Sequence, residues 1–178
     1  MCLLIFKPKG RAIPCEKVLR AAAKANPDGF GFATPNKYMR SLDFEAFYKH
    51  LQKVKDDEPC IIHLRWATHG SVKKSNCHPF RKDGVSFAHN GVLRIDPIGD
   101  KTDSETAFLL YILPAVKHYG LYSREVSEIV SRIIGTSKFA LIDENGDSKL
   151  FGNFTRLEDG NFYSNLRWQY HIGYRFAV

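Results

Sequence analysis

The sequence predicts an α+β fold in a single domain. Helical and strand patterns interleave along the chain without the regular alternation that produces a doubly wound parallel sheet. The 178 residues are the length of one domain, since domains commonly contain about 100 to 200 residues. No internal repeat and no linker-like segment is visible in the sequence. We therefore expect residues 1–178 to form one domain.

The first half of the chain alternates short strands with helices. Apolar runs bounded by glycine, proline or polar turns predict strands, and an alanine-rich or one-sided apolar pattern predicts a helix. Asp43 is a suitable N-cap for the second helix, because its carboxylate can accept the free N–H groups of the first turn. The predicted elements are a strand at 1–6, a helix at 15–25, a strand at 30–34, a helix at 44–54, strands at 60–66 and 85–88, and a polar loop at 70–79.

The second half begins with helices and ends in strands. Asp103 is predicted to cap a helix that is apolar nearly all round at 107–113, and Pro114 is predicted to bend or end it. An amphipathic helix follows at 123–134 and is ended by Gly135. The predicted strands are 139–143 and 149–151, joined by an Asn145-Gly146 hairpin turn, and then 162–164 and 168–172.

The composition excludes several classes of protein. With 44% hydrophobic and 25% charged residues, the chain is neither disordered nor of low complexity. No apolar run approaches the ~20 residues of a membrane-spanning helix, and the apolar stretch at 3–6 is too short for a secretory signal. The four cysteines show no paired spacing and do not indicate disulfides. We therefore expect a cytoplasmic protein that does not interact with membranes.

The chain is basic. Lys and Arg outnumber Asp and Glu by 26 to 19, which gives a formal net charge of +7. Such an excess can attract an anionic partner such as nucleic acid. The basic residues are scattered and form no block of about five or six like charges, which favours solvated faces. Nucleic-acid binding is therefore the non-enzymatic alternative and not the main prediction.

Cys2 stands directly after the initiator methionine. Removal of Met1 would leave the thiol on the same residue as a free α-amino group. Because an α-amine titrates near ~7.7 to 8, part of it is an unprotonated base at neutral pH. One residue would then supply a nucleophile and its base. A cysteine at the start of a buried strand is also typical of simple packing, so Cys2 alone does not decide between the two interpretations.

Polar residues also stand where later strands end and a helix begins, which is where sites are commonly built. Arg65 can bind a carboxylate through two parallel N–H groups. The Asn90 side chain and the Gly91 backbone N–H can point together at one developing negative charge, as an oxyanion hole requires. Asp103 is either a helix cap or an acidic site residue. Each segment alone also has a purely structural interpretation, because Asn-Gly is a common turn and Asp a common cap.

Together, these segments resemble the class II glutamine amidotransferases, which belong to the N-terminal-nucleophile (Ntn) hydrolase superfamily. Each motif is weak alone, but here the motifs stand in the family's order, which makes the match specific. They are Cys2, His-Leu-Arg-Trp-Ala-Thr-His-Gly at 63–70, Asn-Cys-His-Pro-Phe at 76–80, His-Asn-Gly at 89–91 and Asp-Ser-Glu at 103–105. The glycine turn at 28–32 is also similar, although Asn26-Pro27 stands where several members have a basic residue.

The resemblance implies a fold and a reaction. The fold would be a four-layer α/β/β/α sandwich of mainly antiparallel sheets. Cys2 would attack the side-chain amide of glutamine, release ammonia and form a thioester that water hydrolyses. Asn90 and the Gly91 N–H would stabilise the oxyanion. No cofactor and no metal are implied.

The resemblance also implies how glutamine is bound. Arg65 would hold its α-carboxylate and Asp103 its α-ammonium, since a free amino acid carries both charges. Trp66, Thr68 and His69 would shape the pocket beside them.

Longer members of the family continue into a second domain that uses the ammonia, and no such domain is expected within 178 residues. We therefore expect a separate ammonia-accepting synthase or ligase as partner, or alternatively a stand-alone amidohydrolase that acts on a γ-glutamyl compound. An inactive interaction domain is a further alternative. A zinc site is the chemical competitor, although the spacing of its candidate ligands matches no familiar pairing. Those candidates are Cys60, His63, His69, Cys77 and His78.

Overall fold

Two antiparallel sheets lie face to face between two layers of helices. The computed structural model describes residues 1–67 and 71–172. The four-layer α/β/β/α sandwich implied by the sequence is confirmed by this arrangement. None of the helices in the described ranges is long and apolar enough to cross a membrane.

The strands are short and are spread along the whole chain. In chain order they are β1 (Leu3–Lys7), β2 (Phe30–Ala33), β3 (Tyr38–Ser41), β4 (Cys60–Leu64), β5 (Phe80–Lys82), β6 (Val85–Asn90), β7 (Lys138–Ile142), β8 (Ser148–Phe151), β9 (Thr155–Arg156) and β10 (Phe162–Tyr163). The helices are α1 (Glu16–Ala25), α2 (Phe44–Leu51), α3 (Asp103–Ala107), α4 (Leu113–Tyr119) and α5 (Arg124–Ile133). A π-helical turn (Phe108–Ile112) joins α3 to α4, and 3₁₀ turns lie at Lys74–Asn76 and Arg167–Ile172.

The strand order brings distant parts of the sequence together. The first sheet has the order β3-β2-β4-β1-β10-β9 and the second the order β5-β6-β7-β8, and neighbouring strands are antiparallel. β1 pairs with β4 so that Leu3 lies opposite Leu64. Because the two strands run in opposite directions, Cys2 just before β1 lies beside the residues that follow β4.

The core has three apolar layers because successive strand residues point to opposite faces. In β1, Leu3 and Ile5 pack toward α1 and α2, whereas Leu4 and Phe6 pack between the sheets. The second sheet contributes Ala88, Ala140 and Ile142 to this middle layer. Its other face packs against α3, α4 and α5. Burial on both faces explains why β1 reads as a continuous apolar run.

Some local predictions are confirmed and others are wrong. Asp43 caps α2, since its side chain accepts the N–H groups of Glu45 and Ala46. Asp103 does not cap α3, because Thr102 accepts the Glu105 N–H at 3.1 Å and Asp103 is the first helical residue.

Pro114 does not end the helical segment, which continues through α4 to Tyr119. It is the second residue of α4 and lies directly after the π-helical turn. The strand predicted at 168–172 is a 3₁₀ helix, in which the buried Trp168 ring lies 5.5 Å from the Tyr163 ring. The sequence interpretation also missed β3, β5 and β9, which are only two to four residues long.

Candidate active site

A cavity of about 410 Å³ opens where β1 begins and where β4 and β6 end. Its walls are the segment after β4, the loop between β6 and α3, and the first turn of α3. Five of the predicted site residues line it, although they come from four separate parts of the sequence. They are Cys2, Arg65, Trp66, Gly91 and Asp103.

Cys2 is held against the backbone of Trp66. The Cys2 Sγ lies 3.4 Å from the Trp66 N–H, which donates to it, and 3.4 Å from the Trp66 carbonyl oxygen. Burial raises the pKa of the Cys2 thiol above its ordinary value, and the hydrogen bond with Trp66 and nearby positive charge only partly offset this effect. The thiol is therefore protonated at neutral pH and needs a base before it can attack a substrate.

A turn at Asp28 and Gly29 fixes the segment that carries Arg65. The Asp28 N–H donates to the Arg65 carbonyl at 3.0 Å, and the Arg65 N–H donates to the Gly29 carbonyl at 2.7 Å. The Asp28 carboxylate accepts the Ala67 N–H at 2.7 Å. Gly29 has a φ of +144°, and a Cβ there would lie 2.3 Å from Cys77 Sγ, so this turn requires glycine.

Arg65 and Trp66 differ in exposure. The Arg65 side chain is 5% exposed and donates to the Ser71 carbonyl at 3.2 Å. Trp66 is 46% exposed at the cavity. The structure thus places Arg65 as a buried cation of the cavity wall and Trp66 at its mouth. Thr68 and His69, also predicted as site residues, lie outside the described residues.

Asn90 ends β6, and Gly91 follows it at the cavity. Gly91 lines it and has a φ of +146°, and a Cβ there would lie 2.1 Å from Ser137 Oγ. Any side chain at Gly91 would therefore collide with Ser137. Asn90 is fully buried behind the wall, and its Nδ2 donates to Ser164 Oγ at 2.7 Å.

Asp103 faces the cavity from the first turn of α3. One carboxylate oxygen accepts the Leu93 N–H at 2.9 Å, and the other accepts the Ser104 N–H at 2.7 Å and the Ser104 hydroxyl at 3.1 Å. Ser104 Oγ lies in turn 2.7 Å from His89 Nδ1. The carboxylate is therefore held in one orientation by the loop, the helix and a buried histidine.

Three buried histidines lie at the floor of the cavity, where His78 and His89 line it and His63 lies behind them. The His63 ring is 4.5 Å from that of His78, which is 6.3 Å from that of His89. Burial lowers the pKa of His63 to about 3 and that of His89 to about 4, and it holds the pKa of His78 well below its usual range. All three rings are neutral at physiological pH, so the cavity floor is polar but carries no net charge from them.

His63 and His78 were also candidate zinc ligands, together with Cys60, His69 and Cys77. Across residues 1–67 and 71–172, no group of three His, Cys, Asp or Glu side chains is placed to hold a metal ion. His69 lies outside those ranges.

A comparison with protein families agrees with this geometry. A family model described as class II glutamine amidotransferases matches residues 50–153, which include β4, β6, α3 and the loops of the cavity. The chain belongs to the class II glutamine amidotransferases. Members of this family are Ntn-hydrolase enzymes, so the predicted family and enzyme class are confirmed.

Curated relatives of this amidotransferase chain are similar over about half of its length. The isomerizing glutamine–fructose-6-phosphate aminotransferases of Rhizobium leguminosarum bv. viciae and Shouchella clausii (strain KSM-K16) are 29% and 30% identical to it, over 96 and 103 residues. These alignments cover 48% and 51% of this chain but only 16% and 17% of the relatives. The chain thus spans only a small part of the curated relatives that it matches.

Solved structures match this amidotransferase chain over nearly its whole length. The B. subtilis glutamine phosphoribosylpyrophosphate amidotransferase complexed with ADP and GMP has a TM-score of 0.60 and 17% identity, and it covers 97% of this chain and 44% of that chain. An allosteric regulatory enzyme of purine biosynthesis has a TM-score of 0.58 and 15% identity, with 97% and 43% covered. At such low identity the likeness shows the fold alone, which is the Ntn-hydrolase fold.

The sequence interpretation missed part of this amidotransferase site. Ser164 and Asn165 follow β10 and contact Asn90 and Cys2, and Ser104 orients Asp103. The segment Tyr163-Ser164-Asn165 is only loosely similar to the family's sequences, which is a weak signal for the first two. Their partners lie far away in sequence, since the bond between Asn165 Nδ2 and the Cys2 carbonyl spans 163 positions.

Proposed function

We propose that this chain hydrolyses the side-chain amide of glutamine through Cys2, once Met1 has been removed, and releases glutamate and ammonia. The observation that carries the proposal is the single cavity that Cys2, Arg65, Gly91 and Asp103 share. It combines a nucleophile, a cation, a backbone N–H group and a carboxylate. A free amino acid with a side-chain amide needs these four groups.

The first step needs a base because burial raises the pKa of the Cys2 thiol. Met1 is 50% exposed, so the structure leaves it accessible for removal. The freed α-amine of Cys2, with an ordinary pKa near ~7.7 to 8, then takes the thiol proton. The thiolate attacks the side-chain carbonyl carbon, and a carbon–sulfur bond forms as the carbonyl electrons move to oxygen.

The tetrahedral intermediate then collapses. The α-ammonium of Cys2 gives its proton to the amide nitrogen, and the carbon–nitrogen bond breaks. Ammonia is released, and the glutamyl group stays bound to Cys2 as a thioester. Water attacks the thioester, the α-amine takes a proton from that water, and the carbon–sulfur bond breaks to give glutamate and the free thiol.

Gly91 and Asn90 stabilise the oxyanion of both tetrahedral intermediates. An N–H donor aimed at a developing oxyanion contributes about 2.7 to 4 kcal/mol in comparable sites. Gly91 lines the cavity. Asn90 is buried behind the wall, and in this proposal the amide hydrogen that it does not give to Ser164 serves the same purpose.

Arg65 binds the α-carboxylate of glutamine and Asp103 binds its α-ammonium. Both side chains are held in place before substrate arrives, Arg65 by burial and its bond to Ser71, and Asp103 by three hydrogen bonds. Trp66 lines the same cavity. Thr68 and His69, which lie outside the described residues, stay predicted pocket residues.

The ammonia is used at an acceptor site outside residues 1–178, which we propose belongs to a separate synthase or ligase. The support is that both sheets and the helices of the described residues belong to one sandwich with the amidotransferase cavity at its edge, and no acceptor site lies among them. A γ-glutamyl compound in place of glutamine is the alternative substrate.

The test is glutamine-dependent release of ammonia and glutamate by the purified protein. We expect one ammonia for each glutamate, with activity abolished by Cys2→Ala and retained by the matched variant Cys15→Ser, whose thiol is exposed and outside the cavity. Activity in Cys2→Ala would overturn the assignment of the nucleophile. Hydrolysis of γ-glutamyl amides with none of glutamine would select the alternative substrate.

A further inference from the structure

The two residues that follow β10 reach across the molecule to the proposed catalytic groups. We propose that Ser164 is a positioning residue, which holds the Asn90 amide in the orientation that the oxyanion needs. This inference rests on the proposed function, because it assigns the part of the structure that aligns the proposed oxyanion donor with the proposed nucleophile.

Ser164 is fastened to β1 at both its backbone and its side chain. Its N–H donates to the Leu4 carbonyl at 2.9 Å, and its Oγ accepts the Leu4 N–H at 2.9 Å. Leu4 is two residues from Cys2, and Ser164 is only 5% exposed. The Ser164 hydroxyl therefore has a fixed position relative to the strand that carries the nucleophile.

The same hydroxyl holds Asn90. The Asn90 Nδ2 donates to Ser164 Oγ at 2.7 Å, and Asn90 Oδ1 has no hydrogen-bond partner within the described part of the chain. This bond is thus the contact that fixes the rotation of the Asn90 amide. An amide nitrogen carries two hydrogens, so the one not given to Ser164 keeps a defined direction.

This contact crosses between the two sheets. β1 and β10 belong to the first sheet, whereas β6, which ends at Asn90, belongs to the second. The distance between the proposed nucleophile and the proposed oxyanion donor therefore depends on a hydrogen-bonded contact between the two sheets. The Ser164 Oγ makes this contact, since it accepts from both Leu4 and Asn90.

Asn165 adds a second tie from the same segment. Its Nδ2 donates to the Cys2 carbonyl at 2.8 Å, which fixes the backbone of the residue whose amine and thiol are proposed to react. Consecutive side chains after β10 therefore hold the proposed nucleophile and the proposed oxyanion donor.

The test compares steady-state glutamine hydrolysis by the wild type, Ser164→Ala and Ser164→Thr. We expect Ser164→Ala to lower kcat by about 10- to 100-fold with KM within about two-fold, because a misplaced donor weakens the transition state and leaves the glutamine-binding groups intact. Ser164→Thr keeps an acceptor oxygen and should restore most of kcat.

Ser86→Ala is the matched control. Ser86 is also fully buried, lies in β6 with Asn90, and its Oγ has no hydrogen-bond partner in the described residues. Its loss should leave kcat and KM unchanged. Alkylation of Cys2 by iodoacetamide needs no oxyanion stabilisation, so its rate in Ser164→Ala should equal that of the wild type.

An unchanged kcat in folded Ser164→Ala would overturn the proposal. So would a fall in the alkylation rate as large as the fall in kcat, or a kcat that stays low in Ser164→Thr. If Ser164→Ala does not fold, Ser164→Cys replaces it in the test, because its thiol fills a similar space but is a weaker hydrogen-bond acceptor. The kcat of Ser164→Cys is then compared with that of the wild type. A wild type that does not hydrolyse glutamine would instead overturn the proposed function, so the two failures are distinguishable.

Discussion

In the proposed function, Arg65 and Asp103 divide the recognition of glutamine between them. Arg65 is a buried cation beside the proposed nucleophile, and Asp103 is a carboxylate held by the loop after β6 and by Ser104. They lie on different elements, so neither motif alone predicts the pair. The charges of glutamine explain why both are needed in one cavity.

Arg65→Ala should raise the KM for glutamine by about 10- to 100-fold, since a hydrogen bond to a charged group contributes about 1.5 to 3 kcal/mol. The same variant should act on γ-aminobutyramide, which is glutamine without its α-carboxylate, about as well as the wild type does. Steady-state kinetics with both substrates measure this difference. Arg132→Ala, at an exposed position of α5, is the control.

Asp103→Asn provides the complementary comparison. It should lose activity on glutamine but match the wild type on glutaramic acid, which lacks the α-amine. If Arg65→Ala discriminates between glutamine and γ-aminobutyramide as strongly as the wild type does, Arg65 does not bind the carboxylate.

At the scale of elements, β1 begins directly after the proposed nucleophile and ends on an unusual buried cation. Lys7, at the other end of this strand, is fully buried. Its Nζ donates to three backbone carbonyls of the turn between α2 and β4, at 3.0, 3.0 and 2.6 Å. The acceptors belong to Lys55, Asp56 and Glu58.

Lys7→Met should lower the free energy of unfolding by about 2 to 4 kcal/mol, because it leaves buried carbonyl groups without a donor. Urea denaturation measures this change. Lys9→Met, at an exposed position just after β1, should change stability by less than about 0.5 kcal/mol. Equal stability of the two variants would show that the Lys7 ammonium does not hold the turn.

Elements were predictable where local patterns decide them. The apolar run of β1, the cap at Asp43 and the Asn145-Gly146 turn between β7 and β8 all depend on near neighbours in sequence. The 3₁₀ helix around Trp168 was predicted as a strand because its aromatic composition resembles one. Its conformation is decided instead by packing on Tyr163 and α1, which the local sequence does not encode.

At the scale of the whole molecule, the sandwich buries several polar side chains at the meeting of its sheets. The motif segments were predictable because they coincide with strand ends, where sites are commonly built. The tie from Ser164 to Leu4 spans 160 positions and depends on the complete sheet order, so the sequence alone did not reveal it. Most of the proposed site was therefore predictable, but not the residues that align it.

The buried histidines give the whole molecule a pH dependence. Burial lowers the pKa of His63 to about 3 and of His89 to about 4, below the ordinary value of 6.5. Below pH ~6.5 these histidines are therefore protonated in the unfolded chain but stay neutral in the native state. The free energy of unfolding falls as the pH decreases toward these pKa values. Each histidine contributes up to about 1.4 kcal/mol per pH unit.

Urea denaturation between pH 7 and pH 4.5 measures this slope. His63→Gln, which keeps an N–H donor for the His89 carbonyl, should lose stability less steeply with falling pH than the wild type. His118→Gln, at an exposed position in α4, should keep the wild-type slope. Identical slopes in all three proteins would show that His63 does not stay neutral in the folded state.

The central claim is that Cys2 is an N-terminal nucleophile for glutamine. Mass spectrometry of the protein made in cells, after reaction with an electrophilic diazoketone analogue of glutamine, tests it most directly. The predicted result is a chain that begins at Cys2 and carries one adduct, on the Cys2 thiol. A chain that retains Met1, or an adduct on another cysteine with Cys2 unmodified, would contradict the claim.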